Sequence, residues 1–272
     1  MAERRVLILF FPLAFLLSWY PYILGKTHLV KTSGGINPLG PMVAALIVAA
    51  ICYGKAGVKE LLGRYARWRI GWGPLTFALL FPAVVTLLAA AVNVAAGAAR
   101  PVVAQLAAWP ELIPKFIFVL LFVGVGEETG WRGFALPELQ KRLSPVVAIV
   151  VLGAIWAAWH IPLFGVEFAP AVVPWFVLSV LAGAVMATWL FNAAHGSLLP
   201  LPLFHAMVNT VGAGFVFPMF KGADVIRLWW IYAGIWALAA AGFAVFSEDM
   251  KPRLKLEATA AQVFVRKGLP FR

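Results

Sequence analysis

Pro74-Leu75-Thr76-Phe77-Ala78-Leu79-Leu80-Phe81-Pro82-Ala83-Val84-Val85-Thr86-Leu87-Leu88-Ala89-Ala90-Ala91-Val92-Asn93-Val94-Ala95-Ala96-Gly97-Ala98 holds no charged side chain, and none occurs between Arg69 and Arg100. At ~1.5 Å per helical residue, a run of this length crosses a hydrocarbon layer ~30 Å thick. Inside lipid every backbone N–H and C=O must pair within the chain, so the run reads as a transmembrane helix. Comparable apolar stretches recur at 6–24, 38–53, 112–130, 145–164, 171–191, 198–219 and 228–247. The expected fold class is therefore all-α, a polytopic membrane protein of about eight transmembrane helices.

Composition agrees. The 272 residues are 63% hydrophobic and only 12% charged, and the mean hydropathy is +0.92. A soluble domain carries about 25% charged residues, so there is too little polar surface here to coat a water-soluble globule. The single cysteine, Cys52, excludes an internal disulfide framework and any Cys-rich zinc module. Arg4 and Arg5 precede the first apolar run as in a signal peptide. Tyr20-Pro21-Tyr22 stand where a small-residue cleavage site would be, so an uncleaved first span is expected.

Lys and Arg orient the spans. With the N-terminus inside, the inner segments hold Arg4 and Arg5, then Lys55, Lys59, Arg64, Arg67 and Arg69, then Arg132, Lys141 and Arg142, then six in the tail: 16 of the 22. The outer segments hold Lys26, Lys31, Arg100, Lys115, Lys221 and Arg227. Both termini are thus expected in the cytoplasm. The net charge of +11 reads as this topology signal plus attraction to anionic lipid, and no nucleic-acid partner is expected. Residues 54–73 form a basic, Trp-bearing connection expected on the inner interface. A single transmembrane domain over 1–250 is expected, followed by a basic cytoplasmic tail over 251–272 that is mobile or skims the membrane.

Ionisable residues within spans are costly and mark working sites. They gather in three places. In Gly126-Glu127-Glu128-Thr129-Gly130-Trp131-Arg132, Glu128 and Arg132 lie four apart on one helical face. Glu127 is rotated by about 100°, so an ion pair need not consume it. In Trp156-Ala157-Ala158-Trp159-His160, Trp156 shares a face with the imidazole. In His205-Ala206-Met207-Val208-Asn209, two hydrogen-bonding groups point the same way from an apolar helix. Blander readings are interfacial solvation for the acids, a hydrogen-bonded structural role for His160, and interhelical bonding for His205 and Asn209. Helical rise places Glu127 ~10 Å and His205 ~12 Å above the inner boundary, with His160 returning to the same level. The three clusters are expected in one layer, open to the cytoplasm.

These residues resemble the CPBP family, the CAAX proteases and bacteriocin-processing enzymes, which includes the type II CAAX prenyl endopeptidases. The resemblance rests on Glu127-Glu128-x-x-x-Arg132, on Trp156 and Trp159 before His160, and on His205-x-x-x-Asn209. Flanking matches are Gly130-Trp131-Arg132-Gly133, Trp159-His160-Ile161-Pro162-Leu163-Phe164 and Ser197-Leu198-Leu199-Pro200. It covers about 120–212, in the family's motif order, and departs at Trp156, where the family often has Phe. It implies an eight-helix intramembrane endopeptidase of glutamic type in a prokaryotic cytoplasmic membrane, acting on a peptide or lipidated protein, without a cofactor. By the same resemblance Glu127 activates water, His160 assists, His205 and Asn209 stabilise the oxyanion, and Glu128, Arg132 and Trp156 support them. General chemistry agrees that a partly buried, unpaired carboxylate is the better base and that donors in a water-poor cavity stabilise an oxyanion.

Three rival classes share these residues. A zinc protease would use Glu127 or Glu128 with His160 and His205, although no His-Glu-x-x-His pair is present. A proton-coupled transporter would use the buried cluster, although no inverted repeat is evident. A scaffold or immunity protein would keep the motif without catalysis. His195 and His28 read as interfacial or loop residues and Glu167 as a solvated loop acid. Gly124-x-Gly126 and Gly212-x-Gly214 are expected to let helices approach closely beside the site.

Overall fold

The computed structural model describes residues 2–27, 35–247 and 250, with only the backbone for 2–5. His28 and the tail 251–272 lie outside the described residues. The eight expected spans are all present as helices long and apolar enough to cross a membrane. They are α1 (Ala2–Lys26), α2 (Gly40–Gly63), α3 (Trp72–Ala95), α4 (Val103–Gln140), α5 (Pro145–Trp159), α6 (Val173–Ala193), α7 (Pro200–Met219) and α8 (Ala223–Phe246). Helix α1 packs on α2, α3 on α7, α5 on α6, and α6 on α8, while α2 also lies along Val125–Gly130 of α4.

Helix α4 differs from its expected extent. It does not end near 130 but continues to Gln140, a run of 38 residues. Gly133 and Pro137 do not break it, because Trp131–Ala135 winds as a π-helix and Pro137 enters the first turn of the next α-helical segment. A proline there has no N–H to leave unpaired. A second π segment, Val119–Gly124, precedes Glu127, and a third, Val208–Val216, follows His205. Such wide turns re-aim side chains and collect at working sites. Helix α2 likewise outruns its expected end and kinks at Gly54, where φ is +65°. The basic connection is therefore a bent helical arm that ends in the turn Arg64–Ala66.

Lipid provides no hydrophobic force between helices, so close backbone approach does the packing. Along α4, Gly124 abuts Pro202 of α7, Gly126 abuts Pro38, and Gly130 abuts Pro41 of α2. The first glycine pair thus acts as expected. The second does not: a methyl group at Gly212 would meet nothing within 4 Å, and Gly214 faces the carbonyl of Asn209 in its own helix. The π winding turns both toward a cavity instead of a neighbouring helix.

The two ends of the bundle differ. One end carries the loops 64–71, 141–144 and 194–199, and is the basic end. Just inside it, Trp131, Arg132, Leu136, Leu198 and Leu201 are fully buried and form a dense layer. Gly133 sits between the methyl groups of Leu198 and Leu61, and the amide of Leu198 donates to the carbonyl of Arg64 across the end. A methyl group at Gly130 would lie 2.5–2.6 Å from Pro41 atoms, so Gly130→Ala must push α2 off α4. The expected cost is about 1–3 kcal/mol, read as a lower thermal midpoint in detergent, and an unchanged midpoint would contradict the packing.

Candidate active site

Residues from four helices meet below the opposite end. Glu127 and Glu128 come from α4 between two π segments, Trp156 and His160 from the end of α5, and His205 and Asn209 from α7. Phe176 and Ser179 of α6 complete the wall. Glu127, Glu128, Arg132 and His205 are all buried, with Arg132 at 0% exposure. Asn209 is half-buried and lines the same cavity.

The ion pair forms with the second acid. Arg132 Nη1 donates to Glu128 Oε1 at 3.0 Å, and His205 Nδ1 bonds the same oxygen at 2.8 Å. Glu127 lies outside this pair. Its Oε2 accepts the indole N–H of Trp156 at 2.8 Å, while its Oε1 stands 3.9 Å from His205 Nε2. The second distance is too long for a direct hydrogen bond.

Trp156 links the three clusters. Besides holding Glu127, its ring lies 4.2 Å below the Arg132 guanidinium. A cation over an indole face is held by the ring quadrupole, most strongly where water is excluded. The carbonyl of Trp156 accepts from His160 Nδ1 at 2.8 Å. Because a carbonyl only accepts, Nδ1 carries a proton, and in the neutral ring His160 Nε2 keeps a lone pair. The imidazole is boxed by Trp156, Trp159 and Phe176 at centroid distances of 5.7, 5.0 and 5.0 Å. Composition and spacing marked Trp156 only as an aromatic wall. Its role as donor was missed, and the departure from Phe was the available signal, since Phe has no N–H.

These groups line a cavity of about 600 Å³. Its floor is Glu127, Glu128 and His205, and its walls are aromatic, including Phe176, Trp229 and Trp236. It does not open where the sequence reading put it. The lining continues through Ile36, Leu163, Glu167 and Phe217, which belong to the end opposite the basic one. The physical reason is twofold: His160 is the residue after the last turn of α5, about 22 Å from its start, and the basic end is closed by the buried layer around Trp131 and Leu198. At the rim, Glu167 is an exposed loop acid that also lines the cavity, and partial burial pushes its carboxyl above the ordinary value. Among the described residues no group of three His, Cys, Asp or Glu is arranged to hold a metal ion. His195 lies in the turn after α6 with φ of +52° and lines no part of the cavity.

A buried pair is costly to break because the survivor keeps its charge. Arg132→Met is therefore expected to lower unfolding free energy by about 3–5 kcal/mol. The double change Glu128→Gln with Arg132→Met removes both charges and should recover most of that loss. Equal destabilisation by the single and double variants, measured by unfolding in detergent, would contradict the pairing.

Comparison with known proteins points the same way. Residues 109–211 match a family model described as Type II CAAX prenyl endopeptidase Rce1-like. Over 104 residues the chain is 33% identical to CAAX prenyl protease 2 of Methanococcus maripaludis. That alignment covers 34% of this chain and 38% of the archaeal protein, so it spans well under half of the curated relative. The family-model match over 109–211 takes in the segments that carry Glu127, Trp156, His160 and His205. Across its site-forming segment, the chain is similar to the Rce1-like type II CAAX prenyl endopeptidases.

Proposed function

We propose that this protein is an intramembrane endopeptidase of glutamic type, in a prokaryotic cytoplasmic membrane, which hydrolyses a peptide bond with water activated by Glu127. The observation that carries the reading is the division between two adjacent acids. Glu128 is held by Arg132 and His205, and Glu127 is left at the cavity floor with one indole donor. The family match over 109–211 supports the same class of reaction.

In this reading a water lies between Glu127 and the lone pair on His160 Nε2. Glu127 takes one of its protons as the water oxygen attacks the scissile carbonyl carbon. The developing oxyanion accepts from the Asn209 amide and from His205 Nε2. With Nδ1–H bonded to Glu128, Nε2 is a donor only when the ring carries both protons. Glu127 and Glu128 as anions with Arg132 and His205 as cations then sum to zero charge, which suits a buried cluster. As the carbon–nitrogen bond breaks, the proton on Glu127 passes to the leaving amine. Substrates of this reading are membrane-associated peptides, lipidated CAAX-like ones included, taken up among the aromatic walls.

Purified protein in detergent, offered a panel of fluorogenic lipidated and unlipidated peptides, tests the reading. Cleavage is expected to persist with a zinc chelator present. In Asn209→Ala, kcat should fall by about 10²–10³, the usual loss for one oxyanion donor, with a smaller change in KM. Cleavage that stops with the chelator and returns only with added zinc would contradict the glutamic mechanism.

A further inference from the structure

We infer that the basic end of the bundle carries a binding site for the phosphate headgroup of an anionic phospholipid, built on the arm that follows Gly54 and centred on Arg64 and Arg67. None of its residues lines the active-site cavity. It is a second site, and it stands independently of the hydrolytic reading.

The arm gathers charge of one sign. From Lys55 to Trp72 the chain has five cations, Lys55, Lys59, Arg64, Arg67 and Arg69, against one acid, Glu60. Arg64 opens the turn Arg64–Ala66 and Arg67 follows it. Their guanidinium groups converge on one oxygen, with Arg64 Nη2 at 3.4 Å and Arg67 Nη2 at 2.5 Å from Glu60 Oε1. Both also close on the turn after α6: a methyl group at Gly196 would lie 3.1 Å from Arg67 Nη1 and 3.3 Å from Arg64 Nη1. Two guanidinium groups that reach one carboxylate oxygen form a fork that a phosphate oxygen can also enter, and Arg makes its strongest hydrogen bonds to such oxygens. Glu60 cancels only one of the two charges. Its side chain is 56% exposed and that of Arg67 39%, so the fork is open to a headgroup from outside.

The fork is held in place before any lipid arrives. The carbonyl of Arg64 accepts from the Leu198 amide at 3.1 Å, and its guanidinium lies 5.6 Å from the centre of the Phe191 ring. Between the two arginines, Tyr65 OH bonds Thr129 Oγ1 of α4 at 2.8 Å. Cations fixed in this way lose less freedom on binding than surface lysines do.

Neighbouring aromatic residues set the depth. Trp68 and Trp72 are 68% and 83% exposed, and the Arg69 guanidinium lies over the Trp68 ring at 5.1 Å. Indoles gather at the level of lipid headgroups, where one edge is apolar and the other wet. A cationic fork beside them meets the phosphates of the membrane, and anionic lipids add attraction by charge.

Native mass spectrometry of the full chain in detergent tests the site, with phosphatidylglycerol or phosphatidylcholine of matched acyl chains as the titrant. Wild type is expected to retain phosphatidylglycerol in preference. Arg67→Gln should weaken that binding about fivefold, and Arg64→Gln combined with Arg67→Gln about thirtyfold. Glu60→Gln removes the competing carboxylate and should tighten it, a change that a misfolded variant would not produce. Inorganic phosphate at millimolar concentration should leave the lipid bound. Equal retention of the two lipids, or phosphatidylglycerol binding unchanged in the double variant, overturns the inference. Displacement by inorganic phosphate would make the fork a site for free anions and overturn its assignment to lipid.

Discussion

A charge in the hydrocarbon layer must be matched, and the site is arranged around that requirement. Arg132 is wholly buried in α4, and an unpaired guanidinium there costs several kcal/mol. Glu128 one turn earlier, the face of Trp156 and the imidazole of His205 hold the pair together. Each partner comes from a different helix, so α4, α5 and α7 are fixed relative to one another by one buried cation. A consequence is that Glu127, about 100° round the helix from Glu128, faces the cavity without being tied into the pair. Adjacent identical residues receive opposite environments from helical geometry alone.

The same interactions close the cavity on its basic side. The layer that surrounds Arg132 must exclude water for the pair to be held tightly, and Trp131, Leu136, Leu198 and Leu201 do so on its basic side. On the other side the wall recedes. Gly212 and Gly214 turn toward open space on a π-wound segment of α7, and α5 ends at His160 rather than filling the gap. Proline and glycine contacts at Pro38, Pro41 and Pro202 bring α2 and α7 close enough to α4 to keep the floor narrow.

Much of this was legible in the sequence. The eight spans follow from apolar length alone, and the Glu128–Arg132 pair from a spacing of four. The meeting of the three clusters followed from helical rise. What the sequence hid has a physical reason in each case. Three π segments change how residues after Val119, Trp131 and Val208 face, and no composition signal distinguishes π from α winding. Pro137 looked like a terminator but falls where a missing N–H does no harm. Rise arithmetic gave the depth of His160 but not which side of it was plugged, since that depends on Leu198 and Leu61 meeting over Gly133. Trp156 read as shape when its N–H was the functional part.

The division of labour between Glu127 and Glu128 is tested most directly by measuring stability and turnover together in Glu127→Gln and Glu128→Gln. Loss of the buried pair in Glu128→Gln strands Arg132, so its thermal midpoint in detergent is expected to fall well below wild type. Glu127→Gln keeps the pair and the Trp156 donor an acceptor, so its midpoint should match wild type while peptide hydrolysis drops by about 10³ or more, the scale of losing an essential base. The opposite split, with Glu127→Gln unstable and Glu128→Gln stable but inactive, would show that the two acids have been assigned the wrong way round.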